Sequence, residues 1–194
     1  MKKEVKVALC GGVRVGKSTV ADHLEAAYHM VQFAFGDELK KGFHYQYPGV
    51  PRSPKPVGGY QLYGQLQRYV FGDDYWVNLC FDNIRHIASV ARNYNITGEA
   101  VGFRPLVTDL RQPNELERLR DEGYTIIRVE APYHARLDRM FKEGDRVDEE
   151  NLTFETETFV SDFEVDYVIT NDGSLEELYL QVDKIMSVLL EGEE

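Results

Sequence analysis

The chain has 194 residues, with 22 lysines and arginines against 33 aspartates and glutamates, which gives a formal net charge of −11. Hydrophobic residues make up 43% of it and charged residues 28%, proportions that predict one packed domain and exclude extensive disorder. The negative charge argues against nucleic acid as a partner, because a polyanion would be repelled unless a local basic patch intervened.

Cysteine usage and hydropathy indicate a cytoplasmic protein with no membrane partner. Cys10 and Cys80 are too few for a disulfide framework and lack the spacing of metal ligands. The opening residues contain only a short apolar run interrupted by charges, and no later apolar run reaches membrane-spanning length. We therefore expect a soluble, unprocessed chain in a reducing compartment.

The first predicted strand, residues 5–10, is β-branched and apolar, and it is expected to lie at the centre of a sheet. A glycine-containing loop follows, and apolar residues then recur at helical spacing from Lys17 onwards. Gly11, Gly16, Lys17 and Ser18 match the pattern G-x-x-x-x-G-K-[ST]. A strand before this pattern and a helix after it indicate a phosphate-binding loop rather than a glycine turn with an incidental lysine.

Such a loop suits a nucleoside triphosphate, because its backbone N–H groups converge on an oxyanion at the positive end of a helix. Lys17 is expected to reach the β- and γ-phosphates, Ser18 to bind the Mg²⁺ that accompanies the nucleotide, and Thr19 to contact the α-phosphate. The predicted ATP-binding residues here are Gly11, Gly12, Val15, Gly16, Lys17, Ser18 and Thr19.

The middle of the chain reads as one strand followed by helices. Residues 31–35 form the second predicted strand, ended by Gly36 and Asp37, and a short helix follows. Residues 48–59 hold four prolines and three glycines, so they are predicted to be an irregular loop or flap. Two helical patterns then flank Gly72, and the second, 74–94, is long enough to serve a homodimer contact.

The last part of the chain alternates strands and helices. Strands are predicted at 104–109, 124–132 and 165–170, and helices at 114–123, 133–146 and 174–190. The complete order predicts an α/β fold, a three-layer sandwich whose five-stranded parallel sheet has helices on both faces. Ligands of such sheets bind at the carboxyl ends of the strands.

At the end of the third predicted strand, Asp109 and Arg111 are predicted to contact the metal ion and the phosphates. Asp109 ends an apolar strand and is expected to hold Mg²⁺ through water, beside Ser18, unless it is only a helix cap. Arg111 is expected to point from the same strand end to the phosphates, where its planar fork suits an oxyanion, unless it forms a surface salt bridge.

Four segments, in the same order along the chain, resemble the deoxynucleoside monophosphate kinases of bacteriophages. They are FAFGDELKKGF, LQRYVFGDDYW, LVTDLRQPNELERLRDEGYTIIRVEAP and DYVITNDGSLEELYLQV. With the phosphate-binding loop they span nearly the whole chain. The resemblance implies transfer of the γ-phosphoryl group of ATP to a deoxynucleoside monophosphate on a P-loop fold shared with adenylate and dephospho-coenzyme A kinases. A regulatory GTPase is disfavoured because the guanine-reading N-K-x-D is absent.

The resemblance also implies a division of the single domain. The core comprises 1–35, 100–135 and 160–194, a helical region at 36–99 binds the monophosphate, and a lid at 136–159 closes over ATP. Arg136 and Arg139, three apart on one helix face, with Arg146 beyond them, would act on the transferring phosphoryl group. A solvated helix face is the alternative for each of these arginines.

Further site residues follow from the same resemblance. The monophosphate would be contacted by Phe35, Asp37, Lys40, Arg68, Trp76 and Arg111, although Phe35 and Trp76 are equally compatible with core packing. Asn171, after the last strand, is expected to border the adenine, and a turn or helix cap is the competing interpretation. The segment TFETETF at 153–159 departs from the phage pattern and leaves the choice of base open.

Two other functions remain open at this level. One is a kinase similar to dephospho-coenzyme A kinase, whose pattern after the second strand differs from FGDELKKG. The other is a nucleotide-binding regulator without transfer activity, against which the retained Lys17, Asp109 and lid arginines argue.

Overall fold

The structure is a computed structural model that describes residues 4–94, 102–142 and 155–191. The chain divides into two compact units, one formed by Met1–Gln32 with Val101–Glu194 and the other by Phe33–Ala100. The described strands are β1 (Val7–Cys10), β2 (Val31–Phe33), β3 (Pro105–Leu110), β4 (Thr125–Glu130) and β5 (Tyr167–Thr170). The described helices are α1 (Lys17–Tyr28), α2 (Phe35–Gln46), α3 (Val57–Phe71), α4 (Tyr75–Tyr94), α5 (Pro113–Asp121), α6 (Tyr133–Lys142), α7 (Glu155–Asp162) and α8 (Leu175–Glu191).

The five strands form one sheet in the order β2-β3-β1-β4-β5, so β1 is central, as predicted. β1 pairs in parallel with β3 and β4, and β4 pairs in parallel with β5. Val7, Ala8, Leu9 and Cys10 are all fully buried, which means that both faces of the central strand are covered. The predicted α/β fold with a five-stranded parallel sheet is confirmed.

The core of the first unit joins one face of the sheet to α1 and α8. Leu9 and Val129 contribute from the strands, Leu24 from α1 and Val182 from α8. Because side chains alternate along a strand, Ala8 and Cys10 lie on the opposite face. Burial on both faces fixes the strands, and their carboxyl ends carry the loops described below.

Three boundaries differ from the predicted ones. Phe35 and Gly36 belong to the start of α2 rather than to the end of a strand, and Asp37 lies in that helix's first turn, where a carboxylate complements the helix dipole. Residues 57–59 lie in α3 although glycines were expected to prevent helix there; the missing side chain of Gly59 leaves room for the ring of Phe43. α7 begins within the segment TFETETF, for which no helix was predicted, and the buried Phe163 follows it.

The second unit consists of α2, α3 and α4 around an aromatic core. The rings of Phe43, Tyr60 and Tyr63 pack edge-on, with Phe43 at 5.0 Å from Tyr60 and 5.7 Å from Tyr63 between ring centroids. His44 is buried, and its Nε2 lies 2.7 Å from the Tyr60 hydroxyl. None of the described helices combines the length and the apolarity that a membrane crossing requires.

Candidate active site at the glycine loop

In the loop between β1 and α1, the backbone φ angles alternate between positive and negative values. Gly11 has a φ of 142°, Arg14 of 61° and Gly16 of 102°, all in the left-handed half of conformational space. Alternation of this kind turns successive N–H groups toward one concave side and forms an anion-binding nest. α1 begins directly after Gly16, and no side chain caps its first turn. The helix's positive end is therefore available to an anion.

Two neighbouring strands bring further groups to the same edge of the sheet. Cys10, the last residue of β1, lies opposite Leu110 of β3 and Arg128 of β4. Asp109 is therefore the penultimate residue of β3, beside the start of the loop, and is half-buried. Ser18 is exposed in the first turn of α1, with Thr19 half-buried next to it. A hydroxyl and a carboxylate are the hard oxygen donors that Mg²⁺ prefers, so the predicted pair fits that ion chemically.

Lys17 folds back over the loop. Its Nζ donates to the carbonyl of Gly11 at 2.5 Å and to that of Gly12 at 2.7 Å. The ammonium group is thus held at the mouth of the loop by two neutral acceptors. A phosphate oxygen would be a stronger acceptor for the same charge.

The two arginines expected to belong to a lid lie on α6 and contact the loop backbone. Arg136 Nε donates to the carbonyl of Val13 at 2.8 Å. Arg139 Nη1 donates to the carbonyls of Arg14 at 3.0 Å and Val15 at 3.3 Å, and its Nη2 donates to that of Asn171 at 3.2 Å. The structure therefore brings both arginines to the phosphate-binding loop. Arg146 lies outside the described residues, as does the larger part of the predicted lid.

Asn171 follows β5 and is buried against the loop. Its Nδ2 donates to the carbonyl of Val15 at 2.8 Å, and its backbone N–H donates to that of Glu130 at 2.7 Å. Gln181 fixes the preceding residue, since its side chain exchanges two hydrogen bonds with the backbone of Thr170, at 3.0 and 2.9 Å. Sequence reasoning placed Asn171 at the nucleotide and did not identify its contact with the loop.

The thiol of Cys10 lies at the foot of the loop. Burial raises its pKa to about 11, although the positive charges of Arg128 and Lys17 act in the opposite direction. The thiol is therefore protonated at neutral pH and adds no negative charge beside the phosphate-binding loop. We assign it a packing role.

Arg111 lies just beyond β3 and has an exposed side chain. Its backbone N–H donates to Glu115 Oε2 at 2.8 Å, and that of Gln112 donates to the same oxygen at 3.0 Å. Glu115 is buried and forms the capping box that starts α5. The backbone is thus fixed, while the side chain of Arg111 extends into solvent.

Apart from Arg111, which belongs to the first unit, the predicted acceptor residues lie in the second unit, with different exposure. Phe35 and Trp76 are buried, and the indole N–H of Trp76 donates to the carbonyl of Gly64 at 3.2 Å. Asp37 and Lys40 form an exposed ion pair at 2.7 Å, and Arg68 is half-buried on α3. Packing thus accounts for the positions of both rings, and the predicted nucleotide contacts of all five residues stay predictions.

One polar cluster, between α1 and α8, was not predicted from the sequence. Asp183 on α8 accepts from the Tyr28 hydroxyl at 2.7 Å and lies 2.7 Å from His23 Nε2, while the His23 ring stacks on Tyr179. Burial and the hydrogen bond to Asp183 raise the pKa of Tyr28 to about 12. No sequence signal links positions so far apart. In the described part of the chain, no group of three or more His, Cys, Asp or Glu residues could hold a metal ion.

No family model matches the chain. Over 116 residues it is 37% identical to a deoxynucleotide monophosphate kinase of Escherichia phage RB69. The matched part is 59% of this chain and 41% of that protein, so the chain spans about two fifths of the length of the relative it matches.

Solved structures with similar folds include several small-molecule kinases. A shikimate kinase from Bacteroides thetaiotaomicron superposes with a TM-score of 0.57 at 12% identity, covering 96% of this chain and 98% of that one. A gluconokinase from Sinorhizobium meliloti gives a TM-score of 0.52 at 13% identity, with both chains covered completely (100%). A shikimate kinase from Aquifex aeolicus gives 0.52 at 16% identity, covering 97% of each chain. This chain has the fold of the P-loop kinases, and part of it is similar in sequence to a phage deoxynucleotide monophosphate kinase.

Proposed function

We propose that the chain transfers the γ-phosphoryl group of ATP to a deoxynucleoside 5′-monophosphate and releases ADP and the diphosphate. The observation that carries the acceptor class is the 37% identity to the phage enzyme over 116 residues, because the fold alone is compatible with several acceptors. The assignment of ATP as the phosphoryl donor is supported by the loop between β1 and α1, because the uncapped start of α1 and Lys17 suit a triphosphate.

We assign the loop residues Gly11, Gly12, Val15, Gly16, Ser18 and Thr19 to the phosphates of ATP, and Asn171 to its adenine end. When triphosphate binds, Lys17 exchanges the carbonyls of Gly11 and Gly12 for phosphate oxygens. Mg²⁺ bound to Ser18, and to Asp109 through water, would neutralise charge on the phosphates. Gly11, Gly16, Lys17 and Ser18 occupy the defining positions of the P-loop pattern in the sequence.

For the acceptor, we assign Asp37, Lys40 and Arg68 to the monophosphate, with Phe35 and Trp76 shaping the site from within the second unit. An oxygen of the acceptor phosphate attacks the γ-phosphorus, and the bond to the β,γ-bridging oxygen breaks, so that ADP leaves with the electron pair. Arg111 would stabilise the negative charge spread over the transferring group. The reaction needs positioning and charge neutralisation more than a protein base.

The test is ADP release with Mg·ATP and a panel of acceptors. The panel comprises the deoxy- and ribonucleoside monophosphates, dephospho-coenzyme A and shikimate. We expect turnover with at least one deoxynucleoside monophosphate and at least roughly a hundredfold loss in Lys17→Ala, because the variant lacks the cation that follows the transferring charge. Activity of Lys17→Ala within a few-fold of wild type would contradict the assigned role. Turnover only with dephospho-coenzyme A or shikimate would show that the acceptor is not a deoxynucleoside monophosphate. Nucleotide binding without any turnover would indicate a regulator.

A further inference from the structure

We propose that Arg136, Arg139 and Asn171 are positioning residues that hold the phosphate-binding loop open by clamping its carbonyl groups. This inference rests on the proposed phosphate role of the loop, but not on the identity of the acceptor. It gives the lid arginines a function distinct from contact with the transferring phosphoryl group.

The clamp acts on three consecutive peptide units. Arg136 binds the carbonyl of Val13, and Arg139 binds that of Arg14. The carbonyl of Val15 accepts from both Asn171 at 2.8 Å and Arg139 at 3.3 Å. The donors come from α6 and from the residue after β5, so the loop is held from outside its own sequence.

The geometry of a trans peptide unit means that a donor bound to its carbonyl also determines where its N–H group points. Its C=O and the N–H of the following residue point in opposite directions. Donors that fix the carbonyls of residues 13, 14 and 15 on one side therefore direct the N–H groups of residues 14, 15 and 16 to the other side. A phosphate-binding loop needs its N–H groups to converge on one side.

The loop requires such support because its conformation is costly. Arg14 has a φ of 61°, where a residue with a side chain is strained and persists only if its surroundings hold it. Hydrogen bonds from a guanidinium are stronger than neutral ones, so Arg139 supplies more stabilisation than a backbone partner could. All its contacts given above go to backbone carbonyls.

The same contacts join the loop to the turn after β5. Arg139 Nη2 also binds the carbonyl of Asn171, at 3.2 Å, while the Asn171 side chain binds Val15. The arginine, the asparagine and the loop thus form a closed set of hydrogen bonds. Removal of one member is expected to weaken the other contacts, so the variants should not be additive.

Arg139→Lys tests the clamp directly, because lysine keeps the positive charge but lacks the planar fork that reaches several carbonyls at once. Asn171→Ala removes the donor to Val15 without changing any charge. Arg120→Lys is the matched control: Arg120 also donates to a backbone carbonyl, that of Glu164 at 3.0 Å, and to Asp166, but not to the loop.

Two measurements on the acceptor-free protein report on the clamp. The first is the affinity for inorganic tripolyphosphate beside that for ATP, since tripolyphosphate has no base that Arg139 or Asn171 could contact. The second is hydrogen exchange, without ligand, of two bonded amides next to the clamped carbonyls: that of Val20, which donates to the carbonyl of Gly16 at 3.2 Å, and that of residue 171, which donates to the carbonyl of Glu130 at 2.7 Å. We expect Arg139→Lys and Asn171→Ala to bind tripolyphosphate roughly tenfold more weakly and to exchange these amides faster, and Arg120→Lys to change neither.

Three results would overturn the clamp. The first is a loss of kcat with unchanged tripolyphosphate affinity and exchange, which would indicate direct contact with the transferring group. The second is weaker binding of ATP but not of tripolyphosphate, which would indicate a base contact, and the third is a wild-type protein that binds no tripolyphosphate. If Arg139→Lys does not fold, as judged by circular dichroism, Asn171→Ala decides the question through the same carbonyl. Tripolyphosphate binding by a wild-type protein that phosphorylates no monophosphate would refute the proposed function while leaving the clamp measurable.

Discussion

Gly16 is a residue whose position tolerates no side chain, for two separate reasons. Its φ of 102° is rarely adopted by other residues, and a Cβ at this position would collide with Nδ2 of Asn171. The collision follows from the hydrogen bond between Asn171 and Val15, which brings the amide against the loop. The glycine thus serves both the turn of the loop and the approach of Asn171.

Gly16→Ala is expected to abolish triphosphate binding, because the loop must change shape to relieve both the left-handed φ and the collision of the new Cβ with Asn171, a larger change than the loss of one contact in Asn171→Ala. Gly123→Ala separates the two causes: its φ of 78° is also left-handed, but nothing lies within 4 Å of the added Cβ. That control should lose only about 1–2 kcal/mol of stability and should keep its triphosphate affinity. Calorimetric titration with tripolyphosphate and thermal unfolding of both variants measure these effects. Equal affinity in the two variants would contradict the collision.

At the same scale, sequence predicts residue types better than their contacts. The motif identifies Gly16, Lys17 and Ser18, because each position has a stereochemical or charge requirement that few residues meet. The loop partners of Arg136 and Arg139 could not be predicted, since they are backbone carbonyls more than 120 residues away and any residue type supplies a carbonyl. The buried position of Trp76 remained undecided for a similar reason: an indole suits a nucleotide and a core equally.

Between elements, Asp166 connects α5, β4 and β5. Its carboxylate accepts from Arg120 Nη1 at 2.8 and 2.7 Å and from the backbone N–H of Ile126 at 2.7 Å. Its own N–H donates to the carbonyl of Ile126 at 3.0 Å. Asp166 therefore pairs with β4 one residue before β5 begins. Partial burial opposes ionisation, but the hydrogen bonds from Arg120 and Ile126 lower the pKa of Asp166 below its ordinary value of 3.8.

The lowered pKa makes this contact depend on pH. The unfolded chain binds the Asp166 proton at higher pH than the folded chain, so the carboxylate stabilises the fold above about pH 4 and loses this effect as the pH falls below 3.8. Asp166→Asn should lower the free energy of unfolding at pH 7 by no more than about 1 kcal/mol, because the side chains of Arg120 and Asp166 are both over a third exposed. Thermal unfolding of the variant and the parent at a series of pH values measures the difference. The difference should shrink toward pH 3. Asp121→Asn, an exposed carboxylate on α5, is the control, and a pH-independent difference for Asp166→Asn would refute the linkage.

Element types were predicted with more success than element boundaries. The strands are recognisable because burial on both faces of a parallel sheet demands continuous apolar runs, as at Val7–Cys10. The predicted start of α3 was too late, because glycines 58 and 59 normally disfavour a helix. Here the missing side chain of Gly59 allows α3 to approach the ring of Phe43. That advantage depends on a tertiary contact, which local propensity does not contain.

For the whole molecule, the net charge of −11 must be reconciled with the proposed binding of two anionic nucleotides. Exposed charges act over about 10 Å at ordinary salt, so a bound phosphate responds mainly to its immediate neighbours. Lys17, Arg136 and Arg139 all donate to carbonyls of the loop and so bring three positive charges to it. A protein can therefore repel nucleic acid as a whole and still bind a triphosphate at one place.

Thermal unfolding with ligands tests whether the whole chain binds both nucleotides. A non-hydrolysable ATP analogue at one hundred times its dissociation constant should add about 2.7 kcal/mol of stability and raise the unfolding midpoint by roughly 5–11 °C. A deoxynucleoside monophosphate added to that complex should raise the midpoint again, because it binds the folded chain at a second site and leaves the first occupied. The Gly16→Ala variant should lose the first shift but keep the response to the monophosphate alone. If the monophosphate shifts the midpoint only when the ATP analogue is absent, the two ligands compete for one site, and a transfer between them cannot occur.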